Sequence, residues 1–157
     1  MKKDRNTLIN FCKRNNIDIE ILISNDTSTS KKVLEKTNIP LDKIGKTVIF
    51  VDENKNPFAV LIRAIYKISQ NELAKILGKK HIRLAKAEEV INYTGYVPGG
   101  ISPLDLPIKL ILDKELLNYD YIWVGGGDTQ TLIKVKISDI IKLQNPQIIE
   151  VPKKRIQ

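Results

Sequence analysis

TGYVPGGISPLDLP, residues 94–107, is the stretch on which the reading of this chain turns. It carries Pro98, Pro103 and Pro107 together with Gly95, Gly99 and Gly100. Glycine has no Cβ, so its backbone can enter left-handed conformations and lie close to another group. Proline fixes φ and removes a donor. The run therefore cannot extend a helix or a ladder and reads as a rigid loop of irregular path. The residues alone leave two uses open. One is an ordinary surface loop; the other is a nest whose N–H groups bind a carbonyl or phosphate oxygen.

Short elements surround this loop. Residues 87–93 read as a helix stopped by Gly95, and residues 81–85 as a short strand. Ser69 and Glu72 have the S-x-x-E spacing of a capping box, opening a helix that ends at Gly78. KTVIFV (46–51) and the strand from Pro57 to about residue 64 flank the polar turn DENKN (52–56), giving a hairpin with a longer loop. Nearer the N-terminus, residues 4–15 form an amphipathic helix with Leu8, Ile9, Phe11 and Cys12 inward. Residues 18–23 alternate as a strand. Residues 29–37 read as a short helix, with Ser28 or Ser30 as N-cap and Pro40 beyond its end. Downstream come a strand at 109–112, a helical turn at 114–117, and strands at 121–124 and 131–135 around Gly125, Gly126 and Gly127. A helix capped by Ser138 runs to Leu143, and a strand at 148–151 closes the chain. Such a mixture, without regular βαβ alternation, implies an α+β fold. The expected architecture is one compact domain over residues 1–157, with a central mixed sheet or barrel flanked by short helices.

The chain is 42% hydrophobic and 28% charged, which places it with globular domains rather than disordered tails. Its formal net charge of +8 attracts polyanions, although charge alone does not separate a nucleic-acid binder from a lysine-rich solvated surface. Cys12 is the one cysteine, so no intramolecular disulfide can form, and its neighbours make it a core residue. No apolar run reaches the ~18 residues of a membrane span. MKKDRNTLINF, at the N-terminus, lacks the apolar centre of a signal peptide, so a cytoplasmic protein with no membrane partner is expected. His81, the one histidine, follows two lysines and reads as surface. No Cys/His cluster suggests a metal, no cofactor motif is present, and Ser102 has no evident histidine for a triad. The three glycines before Asp128 do not have dinucleotide-loop spacing and read as a bulge or tight turn. Trp123 reads as core, and Arg63 and Tyr66 as further candidates for a pocket wall.

GYVPGGISP resembles the signature loop of the YbaK/prolyl-tRNA synthetase editing-domain family. Gly99-Gly100-Ile101-Ser102-Pro103 matches that family's G-x-x-x-P core. YIWVGGG followed by TLIKVKISDI is similar to the family's glycine turn, strand and helix. GKTVIF is similar to its strand that begins with a functional lysine, which falls here on Lys46. The resemblance runs from about residue 43 to the C-terminus. It implies a compact mixed α/β domain that hydrolyses the ester of a mischarged aminoacyl-tRNA without metal or cofactor, in trans or as an editing insert in prolyl-tRNA synthetase; for this chain the expectation is action in trans on tRNA of the proline type. It further implies mischarged tRNA as partner, with an aminoacyl-tRNA synthetase as a second partner.

On this resemblance Lys46 anchors the nucleotide, and amides around Gly99, Gly100 and Ser102 polarise the ester carbonyl. Ile101, Pro103, Gly125, Gly126, Gly127 and Asp128 contact substrate. The Lys46 strand and the 94–107 loop should then share one cleft, and Gly100→Ala should slow the reaction with the fold intact. Relatives carry basic residues, or a polar residue and histidine, just after the glycines. This chain has Asp128, Thr129 and Gln130 there, so cysteine, alanine, serine and threonine all remain candidate acyl groups. The rival reading is a non-catalytic tRNA-binding module, or a synthetase-associated adaptor, with the same fold.

Overall fold

The computed structural model describes residues 2–25, 27–29, 31–33 and 37–156. In chain order the elements are α1 (Arg5–Arg14), β1 (Glu20–Ile23), β2 (Gly45–Asp52), β3 (Pro57–Arg63), β4 (Tyr66–Ile68), α2 (Gln70–Ile76) and β5 (Ile82–Leu84). There follow α3 (Ala87–Thr94), β6 (Lys109–Asp113), β7 (Tyr121–Gly125), β8 (Thr131–Lys136), α4 (Ile137–Gln144), β9 (Gln147–Ile149) and β10 (Lys153–Arg155). Single 3-10 turns cover Leu41–Lys43 and Lys114–Asn118.

The expected hairpin is the centre of the molecule. β2 and β3 pair antiparallel from Gly45↔Arg63 to Val51↔Pro57. Asp52 closes their turn. Its Oδ1 accepts from the N–H groups of Asn54 and Asn56, both at 2.9 Å, and its Oδ2 lies 2.7 Å from Lys79 Nζ. β6 runs parallel to β3 and β9 parallel to β6, while β5 pairs antiparallel with the far end of β2. The result is a mixed five-stranded sheet, β5-β2-β3-β6-β9. β1-β8-β7 form an antiparallel sheet and β10-β4 a two-stranded ribbon. Of sheet or barrel, the sheet is what forms: the strands make three sheets and close no barrel.

Both faces of the larger sheet are covered. Ile49, Ala59, Leu61, Leu110 and Leu112 pack with Leu8, Cys12, Ile122, Ile133 and Ile140. Phe50, Phe58, Val60, Ile62 and Ile111 pack with Leu73, Ala74 and Val151. A strand buried on both sides needs apolar residues on both, which is why β3 reads as the continuous run FAVLI. Cys12 is buried in the core as expected, and burial pushes its thiol up to about 11.

Two caps differ from expectation. Ser69 stands at the N-cap of α2 but its side chain makes no capping bond. Gln70 ties that helix down instead, its Nε2 donating to Ile82 O at 2.6 Å. Ser138 lies inside α4, which already starts at Ile137 because β8 runs straight into it. In the 29–37 segment the hydroxyl of Thr29 accepts from Lys32 N–H at 3.1 Å. Ser30 lies outside the described residues. Gly78 and Gly95, with φ of 69° and 83°, take the left-handed positions expected of helix stops. β4 and β10 had no sequence signal, and the last pairing strand of the large sheet is Gln147–Ile149 rather than 148–151. Trp123 is half-buried against the cluster around Ile44, as are Leu22 and Leu41, and is not fully enclosed.

Candidate active site

β5 pairs with β2 only from Phe50 onward, so the first half of that edge of β2 is left open. Ile49 O accepts from Ala85 N–H at 2.9 Å, which turns the main chain of residue 49 away from β3. Main-chain direction alternates along an antiparallel strand, so Thr47 also turns its N–H and C=O to the open edge. A cleft of about 320 Å³ lies there. Its walls are β2 itself, Thr27, Ser28 and Thr29, Leu84 and Ala85, Val90, and Gly99, Ile101 and Gly125.

The N-terminal wall is held by main-chain bonds to the loop before β8. Thr27 N–H donates to Thr129 O at 2.6 Å and Ser24 N–H to Gln130 O at 2.8 Å. The adjoining wall is the 94–107 loop, which packs on Ser28 at Gly99 and is braced from inside. Tyr96 is fully buried and its hydroxyl donates to Leu104 O at 2.8 Å. Ser102 is also fully buried, and its Oγ accepts from Leu104 N–H at 3.2 Å. Lys3 Nζ reaches both the carbonyl oxygen and the carboxylate of Asp105. Gly100 N–H closes a turn onto Val97 O at 3.0 Å, with Gly99 at φ +83°. That positive φ after Pro98 is the geometry of a type II turn. The amides of Gly99 and Ile101, which line the cleft, make no internal hydrogen bond among the described residues.

Among the described residues Lys46 is the one charged side chain on the cleft wall. It is half-buried and makes no ion pair among them. Burial, and then the positive charge of Lys67, hold its ammonium below the usual lysine range. Beside it Thr47 Oγ1 is buried without a hydrogen-bond partner among the described residues. A buried hydroxyl without a partner costs free energy and marks a place where a ligand group can supply the missing bond. The remaining lining, including Val33, Ile44, Val48, Ile49 and Leu132, is apolar. The cleft thus offers a cation and unspent donors, with no carboxylate or imidazole among its described lining residues.

Of the residues expected at the site, Lys46, Gly99, Ile101 and Gly125 meet in this cleft. Gly100, Ser102 and Pro103 lie behind its wall, buried. Gly126 and Gly127 are buried too, beneath the Asp128 turn. Asp128 spends Oδ1 on Gln130 N–H at 2.9 Å and on Thr131 Oγ1 at 2.7 Å, and its Oδ2 lies 3.6 Å from Arg5. Arg63 and Tyr66 do not reach the cleft. Arg63 Nε is 2.5 Å from Glu115 Oε1, and the Tyr66 hydroxyl is 3.2 Å from Glu115 Oε2. Thr47 and the polar residues 27–29 are lining groups that sequence reasoning passed over. The run SNDTSTS, residues 24–30, was a signal for the latter, but it reads equally well as capping chemistry. No three His, Cys, Asp or Glu side chains among the described residues are grouped to hold a metal ion.

Residues 24–143 match the family model described as "Aminoacyl-tRNA editing domain". A protein of Enterococcus faecalis named as a Cys-tRNA(Pro)/Cys-tRNA(Cys) deacylase, EbsC, is 27% identical over 87% of this chain and 85% of its own length. A proline–tRNA ligase of Paraburkholderia phymatum is 31% identical over 61% of this chain, but the match spans only 18% of that enzyme. Among solved structures, hypothetical protein APE2540 superposes with a TM-score of 0.83 at 27% identity, over 94% of this chain and 99% of that one. With that match spanning most of the chain and every wall of the cleft, the chain belongs to the aminoacyl-tRNA editing domain family, the aminoacyl-tRNA deacylases of translation fidelity.

Proposed function

We propose that this chain is a single editing domain, residues 1–157, that removes a small amino acid from mischarged tRNA of the proline type. It acts in trans in the cytoplasm, with an aminoacyl-tRNA synthetase as the partner that supplies tRNA identity. One observation carries the reading: a half-buried Lys46 without an ion pair stands in an apolar cleft also lined by Gly99 and Ile101, whose amides make no hydrogen bond among the described residues. The named activities of EbsC and the ligase support the substrate class.

The chemistry follows from those groups. The Lys46 ammonium holds a phosphate near the terminal adenosine and so fixes the ester. The ester carbonyl lies against the Gly99 and Ile101 amides, with Gly100 and Ser102 shaping the loop that presents them. A water attacks the carbonyl carbon, and negative charge grows on the carbonyl oxygen, where each well-placed donor contributes about 3 kcal/mol. The bond from carbonyl carbon to ribose oxygen breaks, and the attacking water's proton passes to that oxygen. The ribose hydroxyl next to the ester orients the water, so the substrate does the work of a protein base. Ile101, Pro103 and the Gly125–Gly126–Gly127 turn, steadied by Asp128, set the shape of the acyl side of the cleft. A space of about 320 Å³ shared by ribose and acyl group favours small side chains.

The test is single-turnover release of cysteine, alanine, serine and threonine from mischarged tRNAs by pure protein. Release of at least one, far above the uncatalysed rate, is expected. Binding of tRNA without release of any would leave a binding module in place of the enzyme.

A further inference from the structure

We infer that the outer face of the β4–β10 ribbon is a phosphate-backbone seat that carries the acceptor stem of the tRNA away from the cleft. The inference rests on the deacylase reading for its partner, but its observations lie elsewhere. β10 falls beyond residues 24–143, the span that matches the family. Its three residues, Lys153, Lys154 and Arg155, pair antiparallel with Ile68, Lys67 and Tyr66.

In that register Lys154 stands directly opposite Lys67. Like charges directly opposite disfavour a strand pair. The pairing is closed at both ends all the same, by Ser69 N–H to Pro152 O and Ile156 N–H to Ile65 O, each at 2.8 Å. Side chains alternate across a ribbon, so Lys153 turns inward, while Arg155 at the strand end stays exposed. Lys153 lies 2.8 Å from buried Asp113 and 5.0 Å above the Tyr66 ring. The inward lysine is therefore neutralised. Lys67 and Lys154 are exposed and have no salt bridge among the described residues.

The charge of Lys67 is felt at Lys46 in the cleft wall, which ties the cleft electrostatically to this pair. Beside it runs a groove of about 310 Å³, lined by Lys67, Lys154, Ser69, Gln70 and Asn71, with Glu72 its one acid. A pair of uncompensated ammonium groups next to neutral hydrogen-bonding side chains suits phosphates and 2′-hydroxyls of an A-form stem, read by shape. A phosphate between the two lysines removes the repulsion that the bare ribbon carries.

The experiment is the double variant Lys67→Gln/Lys154→Gln, compared with wild type in three readouts. With uncharged tRNA over a salt series, Kd should rise about 10-fold and the slope of log K against log salt should fall by about 2, one per lysine. With mischarged tRNA, KM should rise and kcat hold. With the same amino acid esterified to adenosine alone, kcat/KM should not change. An unchanged salt slope overturns the seat, as does an equal loss on the adenosine ester, which would place the lysines in the cleft. Wild-type binding to anionic vesicles but not to tRNA gives the ribbon to a lipid surface and also overturns it. The melting temperature of the double variant should equal or exceed that of wild type, so weaker binding cannot come from misfolding. If wild type releases no amino acid from any substrate, the deacylase reading falls, while the salt slope still decides the ribbon.

Discussion

Gly125 lies so close to Ile101 that a Cβ built on the glycine stands 2.1 Å from the Ile101 carbonyl oxygen. The contact is one of three. A Cβ on Gly100 meets the Asp128 backbone at 2.7 Å, and Gly127 N–H donates to Gly100 O at 3.0 Å. The signature loop and the glycine turn are therefore interlocked backbone on backbone, and this contact sets the distance between two walls of the cleft.

Gly125→Ala is expected to lower stability by about 3 kcal/mol, because backbone rather than a flexible side chain must give way. Gly100→Ala should do the same, so there a slowed enzyme is expected to come with a weakened fold rather than an intact one. Urea unfolding of both variants checks this. Unfolding midpoints equal to wild type would show that the segments can separate freely.

Lys46→Ala should slow deacylation by about 10- to 100-fold, equivalent to about 1.4 to 2.7 kcal/mol of transition-state stabilisation. The fold should not suffer. A lysine whose folded pKa lies below its unfolded value penalises the folded state at neutral pH, and that penalty fades as pH rises through the folded pKa. The variant should thus melt at or above the wild-type temperature at pH 7, with the difference shrinking at alkaline pH. Equal single-turnover rates for both proteins would remove Lys46 from the mechanism.

Thr47→Val replaces a buried, unpartnered hydroxyl by a methyl of nearly the same shape. Stability should rise by about 1 kcal/mol, since a desolvated polar group without a bond is removed. Deacylation should fall about 10-fold if substrate supplies the missing partner. Thermal unfolding together with single-turnover kinetics separates the two effects. A gain in stability at unchanged rate would make Thr47 a packing residue.

Asp52 has its carboxyl held down at about 2, first by Lys79 and then by the amides of Asn56 and Asn54. An acid with a folded pKa below its unfolded value stabilises the fold above the ordinary carboxylate range, and the contribution is lost as pH falls through about 2. Asp52→Asn should cost about 2 kcal/mol at pH 7 through the weakened turn. The gap between variant and wild type should close on acidification toward pH 2. A gap independent of pH would mean that the turn is held by hydrogen-bond geometry alone.

The local features were legible in the residues. The hairpin of β2 and β3 showed as two β-branched runs around DENKN, and the helix stops as Gly78 and Gly95, because each depends on neighbours a few positions away. The loop at 94–107 and Lys46 were legible as a family resemblance, and they do meet in one cleft. Ser69 does stand at the N-cap and failed only in its side-chain bond, whereas Ser138 was misplaced because β8 runs straight into the helix at Ile137.

Composition and short-range pattern determined the α+β class, the buried Cys12, the exposed His81 and the rigidity of the signature loop. Tertiary structure alone decided the rest. β4 and β10 are three residues each, and neither has a stable form without the other, which lies more than 80 residues away. The open edge of β2 exists because β5 stops pairing at Phe50. The glycines of the site are required by one another's backbones, a contact energy that belongs to two distant segments at once and so leaves no mark in either read alone.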